Sequence, residues 1–143
     1  MDERNAVATS GKTRQFKKVL VVDDDDNWIF VSKLILKKAG IGEEVLTARN
    51  GLDALTKLKN LGAVSPKNLP DLIFLDIRMP VMDGFEFLEE AIKPHGLDLS
   101  HTKIYMCSSS LNPHDQERAS LFPVSGFLTK PLTKESLWEA LGK

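Results

Sequence analysis

The sequence predicts an α/β fold: a parallel sheet of five strands with helices packed on both faces. Two observations carry that reading. Five short apolar runs of strand length punctuate the chain, the first being Lys18-Val19-Leu20-Val21-Val22. Each is followed by a segment with a helix cap or helical apolar spacing, so strand and helix alternate to the C-terminus. Alternating units of this kind build a parallel sheet through right-handed crossovers.

Residues 18–22 form a continuous apolar run that ends in four aspartates, the pattern of a strand buried on both faces. Asp26 or Asn27 is a good N-cap for a helix carrying Ile29, Val31, Leu34, Ile35 and Ala39, and Gly40 is its stop. Residues 45–48 read as the second strand. Residues 51–61 read as a helix with Leu52, Leu55 and Leu58 on one face. A loop with Pro66 and Pro70 leads to a buried strand over 72–75, ending at Asp76. Residues 85–92 read as a helix and 103–107 as a strand ending at Ser108. Residues 113–121 read as a helix with Pro113 in its first turn. The fifth strand, 124–128, ends at Thr129-Lys130, and Thr133 caps a last helix to residue 141. Residues 1–16 are polar and unpatterned and are expected to form a flexible tail, with the folded domain spanning 17–143.

The 143 residues suffice for one domain with a sizeable core. A formal net charge of −1 gives no electrostatic case for a nucleic-acid or membrane partner. The single cysteine excludes an intrachain disulfide and fits a reducing compartment. No run approaches the roughly 18 apolar residues of a membrane span. The polar N-terminus lacks the apolar region of a secretory signal. The expectation is a cytoplasmic protein.

In open parallel sheets, ligands bind outside the carboxyl ends of the strands. The chemistry-bearing residues fall there. Asp23 and Asp24 follow the first strand, Asp76 ends the third, Ser108 the fourth and Lys130 the fifth. Clustered carboxylates repel unless a cation neutralises them. Mg²⁺ suits one or two carboxylates together with phosphate oxygens and water. A lysine and a hydroxyl can bind further phosphate oxygens. The set is therefore suited to forming and holding an aspartyl phosphate, with the metal and Lys130 offsetting charge during phosphoryl transfer.

From residue 19 to residue 141 the chain resembles the receiver domain of two-component response regulators, in its single-domain, chemotaxis-regulator-like form. The residues that carry the resemblance are Val22-Asp23-Asp24, the stretch Asp76-Ile77-Arg78-Met79-Pro80-Val81-Met82-Asp83-Gly84, Ser108 after an apolar strand, and Lys130-Pro131. The resemblance implies a flavodoxin-like, doubly wound sheet of order 2-1-3-4-5. It implies that Asp76 accepts a phosphoryl group from a histidine kinase or phosphotransfer protein. Asp24 and Asp76 then ligate Mg²⁺ directly, Asp23 acts mainly through a water, and the Arg78 backbone carbonyl is a further ligand. Ser108 is the switch hydroxyl, Phe127 the aromatic that changes rotamer, and Lys130 the partner of the phosphoryl group. The Lys130-Pro131 bond is expected to be cis. The only catalysis implied is of the protein's own phosphorylation and dephosphorylation. The face of the fourth helix, fifth strand and fifth helix is expected to meet an unidentified protein target or form a homodimer. No output domain follows the fifth helix, so a single-domain regulator or phosphorelay shuttle is expected.

Some residues depart from the commoner pattern or invite sharper readings. Arg78, two residues past Asp76, is long and cationic, and is expected to cover the phosphoryl group or pair with a site carboxylate. Ser110 is small and leaves room for water. Ser108 keeps a hydroxyl but lacks the methyl of the commoner threonine, so its rotamers are freer. Asp25 and Asp26 read as a solvated loop and helix cap rather than a second metal site, and Asp83-Gly84 as a turn and helix start. Residues 6–13 spell A-x-x-x-x-G-K-T, but a phosphate-binding loop needs a strand before it and a helix after it, and here a strand follows. His95, His101 and His114 lie in no ligand spacing. Cys107 reads as a small buried strand residue, and Trp28 and Trp138 as packing residues, with Trp28 bordering the acidic loop. A phosphohydrolase attacking through the first aspartate of a D-x-D motif is the alternative enzyme, but the best nucleophile here ends the third strand. A phosphorylation-independent interaction module is disfavoured by the intact set Asp24, Asp76, Ser108 and Lys130.

Overall fold

The computed structural model describes residues 16–94, 96–110 and 112–142. Its strands are β1 (Lys18–Val22), β2 (Glu44–Ala48), β3 (Leu72–Asp76), β4 (Lys103–Ser108) and β5 (Gly126–Thr129). They pair in parallel in the order β2-β1-β3-β4-β5, the expected topology. Between and after them run α1 (Asp26–Ala39), α2 (Gly51–Val64), α3 (Gly84–Ala91), α4 (Pro113–Ala119) and α5 (Lys134–Leu141), with a short 3₁₀ turn at Pro66–Asn68. Among the described residues no helix is long and apolar enough to cross a membrane.

The central strands are apolar on both faces because both faces are covered. Leu20, Val22, Ile73 and Leu75 pack with Leu55, Leu58, Phe85 and Leu88 of α2 and α3. Val19, Val21, Phe74 and Cys107 point the other way, into a core shared with Ile29 and Leu36 of α1 and Leu137 of α5.

Several local expectations shift by a residue or more. The N-cap of α1 is Asp25, whose carboxylate accepts from the Asn27 and Trp28 amides, while Gly40 ends the helix at φ 73° as expected. On α2 the buried stripe is Gly51, Ala54, Leu55 and Leu58, and Leu52 is exposed. At 3.6 residues per turn, Leu52 and Leu58 lie about 120° apart, too far to share one buried stripe. Strand β5 starts at Gly126 rather than 124, because residues 122–125 turn before joining the ladder through the Ser125 amide and the Ile104 carbonyl. Helix α4 stops at Ala119 instead of 121, its last turn tightened by a Leu121-to-Arg118 bond. Phe16, placed in the tail by its polar surroundings, is buried, and its carbonyl accepts from the Gly42 amide at 2.9 Å.

Candidate functional site

The winding of the chain reverses between β1 and β3, so the loops after these strands open a crevice at their carboxyl ends. Register pairs Val22 with Leu75, which sets Asp23 beside Asp76. Register also pairs Ser108 with Thr129, and the Lys130 amide donates to the Ser108 carbonyl at 2.9 Å, so Lys130 leaves the sheet toward the same rim. The Lys130-Pro131 bond is cis.

Carboxylate oxygens of Asp23, Asp24 and Asp76 lie within 4.8 Å of one another. Asp23 is buried. One of its oxygens accepts from the Asp25 amide at 2.9 Å, the other from Lys130 Nζ at 2.6 Å. The same ammonium lies 3.5 Å from Asp76 Oδ1 and 4.7 Å above the centre of the Trp28 ring. The Ile77 amide donates to Asp76 Oδ1 at 2.9 Å.

Burial, and then the charge of Asp23, push the Asp76 carboxyl up to about 6, against the pull of Lys130. Burial also raises Asp23, with the Lys130 hydrogen bond recovering part of the shift. Burial disfavours the charge on Lys130, but the Asp23 hydrogen bond and the Asp76 charge outweigh it and hold the ammonium above its ordinary value. Three clustered carboxylates with one ammonium beside two of them leave the cluster short of positive charge, and the charge of Asp23 adds to burial in raising Asp76. Donors that are all oxygen, at these separations, fit a hard divalent cation.

The loop after Asp76 is held by close backbone contacts. The Gly84 amide donates to the Ile77 carbonyl at 2.9 Å, and a β-carbon at Gly84 would overlap the Asp76 carbonyl oxygen. Only glycine lets α3 start this close to the strand end. Asp83 caps α3 in a reciprocal box with Glu86, so the turn-and-helix-start reading of Asp83-Gly84 stands. Val81 sits at φ 70°, an uncommon conformation for a β-branched residue, and its side chain is exposed.

The remaining sequence candidates are placed as follows. Ser108 is half-buried, and its hydroxyl is engaged with Ser110, donating to the carbonyl at 2.9 Å and accepting from the amide at 3.1 Å. Phe127 is half-buried on β5 in register with Met106. Arg78 pairs with none of Asp23, Asp24 and Asp76; its Nη2 donates to Asp115 Oδ2 at 2.8 Å. Asp26 pairs with Arg49 at 2.7 Å and Asp25 caps α1, in keeping with the solvated-loop reading. Cys107 is buried, and burial pushes its thiol up to about 12. His101 and His114 are exposed, while His95 and the 6–13 motif lie outside the described residues. Sequence reasoning missed Asp115, because a pair 37 residues apart leaves no spacing signal until β4 is known to lie beside β3.

The family model described as "Response regulator receiver domain" matches residues 19–142. The chain is 34% identical over 130 residues to the two-component response regulator ORR41 of Oryza sativa subsp. japonica, covering 91% of this chain and 95% of that one. It is 33% identical over 127 residues to the chemotaxis protein CheY of Thermotoga maritima, covering 89% and 96%. A crystal structure of a two-component response regulator from Cytophaga hutchinsonii superposes with a TM-score of 0.80 at 30% identity, covering 89% of this chain and 95% of that one.

Proposed function

The chain belongs to the response regulator receiver domain family, and from that premise we propose that it accepts a phosphoryl group on Asp76 from the phosphohistidine of a histidine kinase or phosphotransfer protein. The observation that carries this reading is Lys130, whose single ammonium reaches both Asp23 and Asp76 while Asp24 completes the carboxylate cluster.

Asp76 Oδ1 is held by the Ile77 amide, which leaves the other oxygen as the nucleophile. That oxygen attacks phosphorus in line, the P–N bond to the donor imidazole breaks, and its electron pair returns to the ring nitrogen. Lys130 is placed to neutralise a phosphoryl oxygen as the group arrives. Mg²⁺, held by Asp24 and Asp76, by Asp23 through water, and by the Arg78 carbonyl, would supply the charge that offsets the remaining phosphoryl oxygens. Ser108 must leave Ser110 to reach the phosphoryl group, and the space it vacates is the space into which Phe127 turns. The surface formed by α4, β5 and α5 then meets the downstream protein or a second copy of the chain.

Incubation with a small phosphodonor and Mg²⁺ tests the reading: one acid-labile adduct per chain is expected, with no turnover of a generic phosphate ester. Steady ester hydrolysis would favour the phosphohydrolase instead. Switching is tested with beryllofluoride and Mg²⁺, which should move the backbone amide resonances of residues 125–129. Resonances that stay in place would refute the role given to Phe127, since a ligand shifts a conformational equilibrium only through its differential contacts with the two states.

A further inference from the structure

Arg78 is the cation nearest in sequence to Asp76, yet it is turned toward another element. Its guanidinium is bonded to Asp115 Oδ2 at 2.8 Å, in the first turn of α4, and no other ion pair to that carboxylate is present among the described residues. The two ends differ in exposure: the Arg78 side chain is 70% exposed and that of Asp115 11%. The Asp115 carboxylate is not needed for the cap of α4, since the Asp115 amide, not its side chain, bonds to Asn112.

Helix α4 has only seven residues, of which Asp115 and Ala119 are buried. A helix this short is not self-sustaining, so its position depends on its tethers. Its side-chain tethers include the Arg78–Asp115 pair and Arg118, which lies 4.4 Å above the Phe85 ring of α3 and 3.9 Å from Glu89 Oε1. The pair therefore joins the loop that follows the phosphoacceptor to a weakly held helix.

We propose that Asp115 is a positioning residue for Arg78, and that the Asp115 carboxylate and a phosphoryl group on Asp76 compete for the same guanidinium. The proposal rests on the phosphoacceptor reading of Asp76. In the resting protein Asp115 holds Arg78 off the site. A phosphoryl group offers a second, more highly charged partner two residues away, which an arginine can bind with two parallel hydrogen bonds. When Arg78 turns to it, the approach of water to the phosphorus is obstructed and α4 loses a tether. The arginine end is open to solvent, so the competition shifts populations modestly.

The test is the decay rate of the acid-labile adduct at fixed Mg²⁺ in the parent, Arg78→Ala, Asp115→Asn and the double variant. Arg78→Ala should decay faster, by roughly 2- to 30-fold. Asp115→Asn, near-isosteric and uncharged, should free Arg78 and slow decay by about 2- to 5-fold. The double variant should match Arg78→Ala, because Asp115 acts only through the arginine. In unphosphorylated Asp115→Asn, the amide resonances of residues 113–119 should move toward their positions in the beryllofluoride complex of the parent. If Asp115→Asn does not fold, Asp115→Ser should give the same order. Slowed decay that persists without Arg78 would overturn the proposal, as would unchanged decay and resonances in folded Asp115 variants. A parent that takes no label at all would overturn the phosphoacceptor reading and this proposal with it; normal labelling with any of the preceding results would overturn this proposal alone.

Discussion

Asp76→Asn is expected to take no acid-labile phosphoryl group from a small phosphodonor, where the parent takes one per chain. The amide lacks the anionic oxygen that attacks phosphorus, and Asp23 cannot replace it, since both its oxygens are already bonded to the Asp25 amide and Lys130. Stoichiometric labelling of the variant at another residue would end the assignment. The same substitution should stabilise the metal-free protein. Asp76 is raised from 3.8 to about 6 on folding, with a side chain only 12% exposed. A carboxyl raised in this way contributes its stability below the unfolded value and loses it as pH climbs through the folded one. Ionised Asp76 is therefore a liability at neutral pH, of about 1–3 kcal/mol at ~1.4 kcal/mol per unit. In chelator at pH 7.5, the urea midpoint of Asp76→Asn should exceed that of the parent, and the gap should close as pH falls from about 6 toward 4. A variant that is less stable at pH 7.5 would contradict the burial argument.

Excess chelator should suppress labelling of the parent by two orders of magnitude or more, roughly 3 kcal/mol of barrier. The incoming phosphate carries negative charge toward three carboxylates that already exceed the one ammonium among them. Mg²⁺ should restore the rate, and Ca²⁺ should serve poorly, because a site of few carboxylates completed by water suits the smaller octahedral ion. Equal labelling with and without chelator would mean that Lys130 alone neutralises the transfer. Tight Ca²⁺ binding with Mg²⁺ excluded would count against the octahedral site.

The fold was legible because the central strand runs are apolar on both faces and each strand run is closed by residues that do not continue it. Asp76, Ser108 and Lys130 could be placed on one rim from that alternation alone, since carboxyl ends of parallel strands share an edge. The errors have specific causes. Leu52, Leu55 and Leu58, at a spacing of three, read as one helical face, but the buried stripe needs the small residues Gly51 and Ala54, which carry little hydropathy signal. Phe16 lay in polar sequence and was recruited by a contact to Gly42, which no local pattern reveals. Of the two roles the sequence suggests for Arg78, covering the phosphoryl group or pairing with a site carboxylate, the second needs a partner among Asp23, Asp24 and Asp76, and the carboxylate it meets is a different one. It is Asp115, on a different βα unit, and only the adjacency of β3 and β4 brings the two together.

Cys107 takes no part in the proposed chemistry, yet its position gives it a use. It is the single cysteine of the chain, lies in register with Asp76 on the adjoining strand, and is closed off from solvent. With its thiol pushed up to about 12, almost no thiolate exists at neutral pH. A thiol reagent can react only when the core that covers Cys107 opens, so the labelling rate measures how often the structure opens next to the site. Whatever binds the closed form, cation or phosphoryl group, lowers the open population and slows that rate in proportion. The molecule thus contains its own clock for site occupancy, readable in the unmodified sequence without an attached probe.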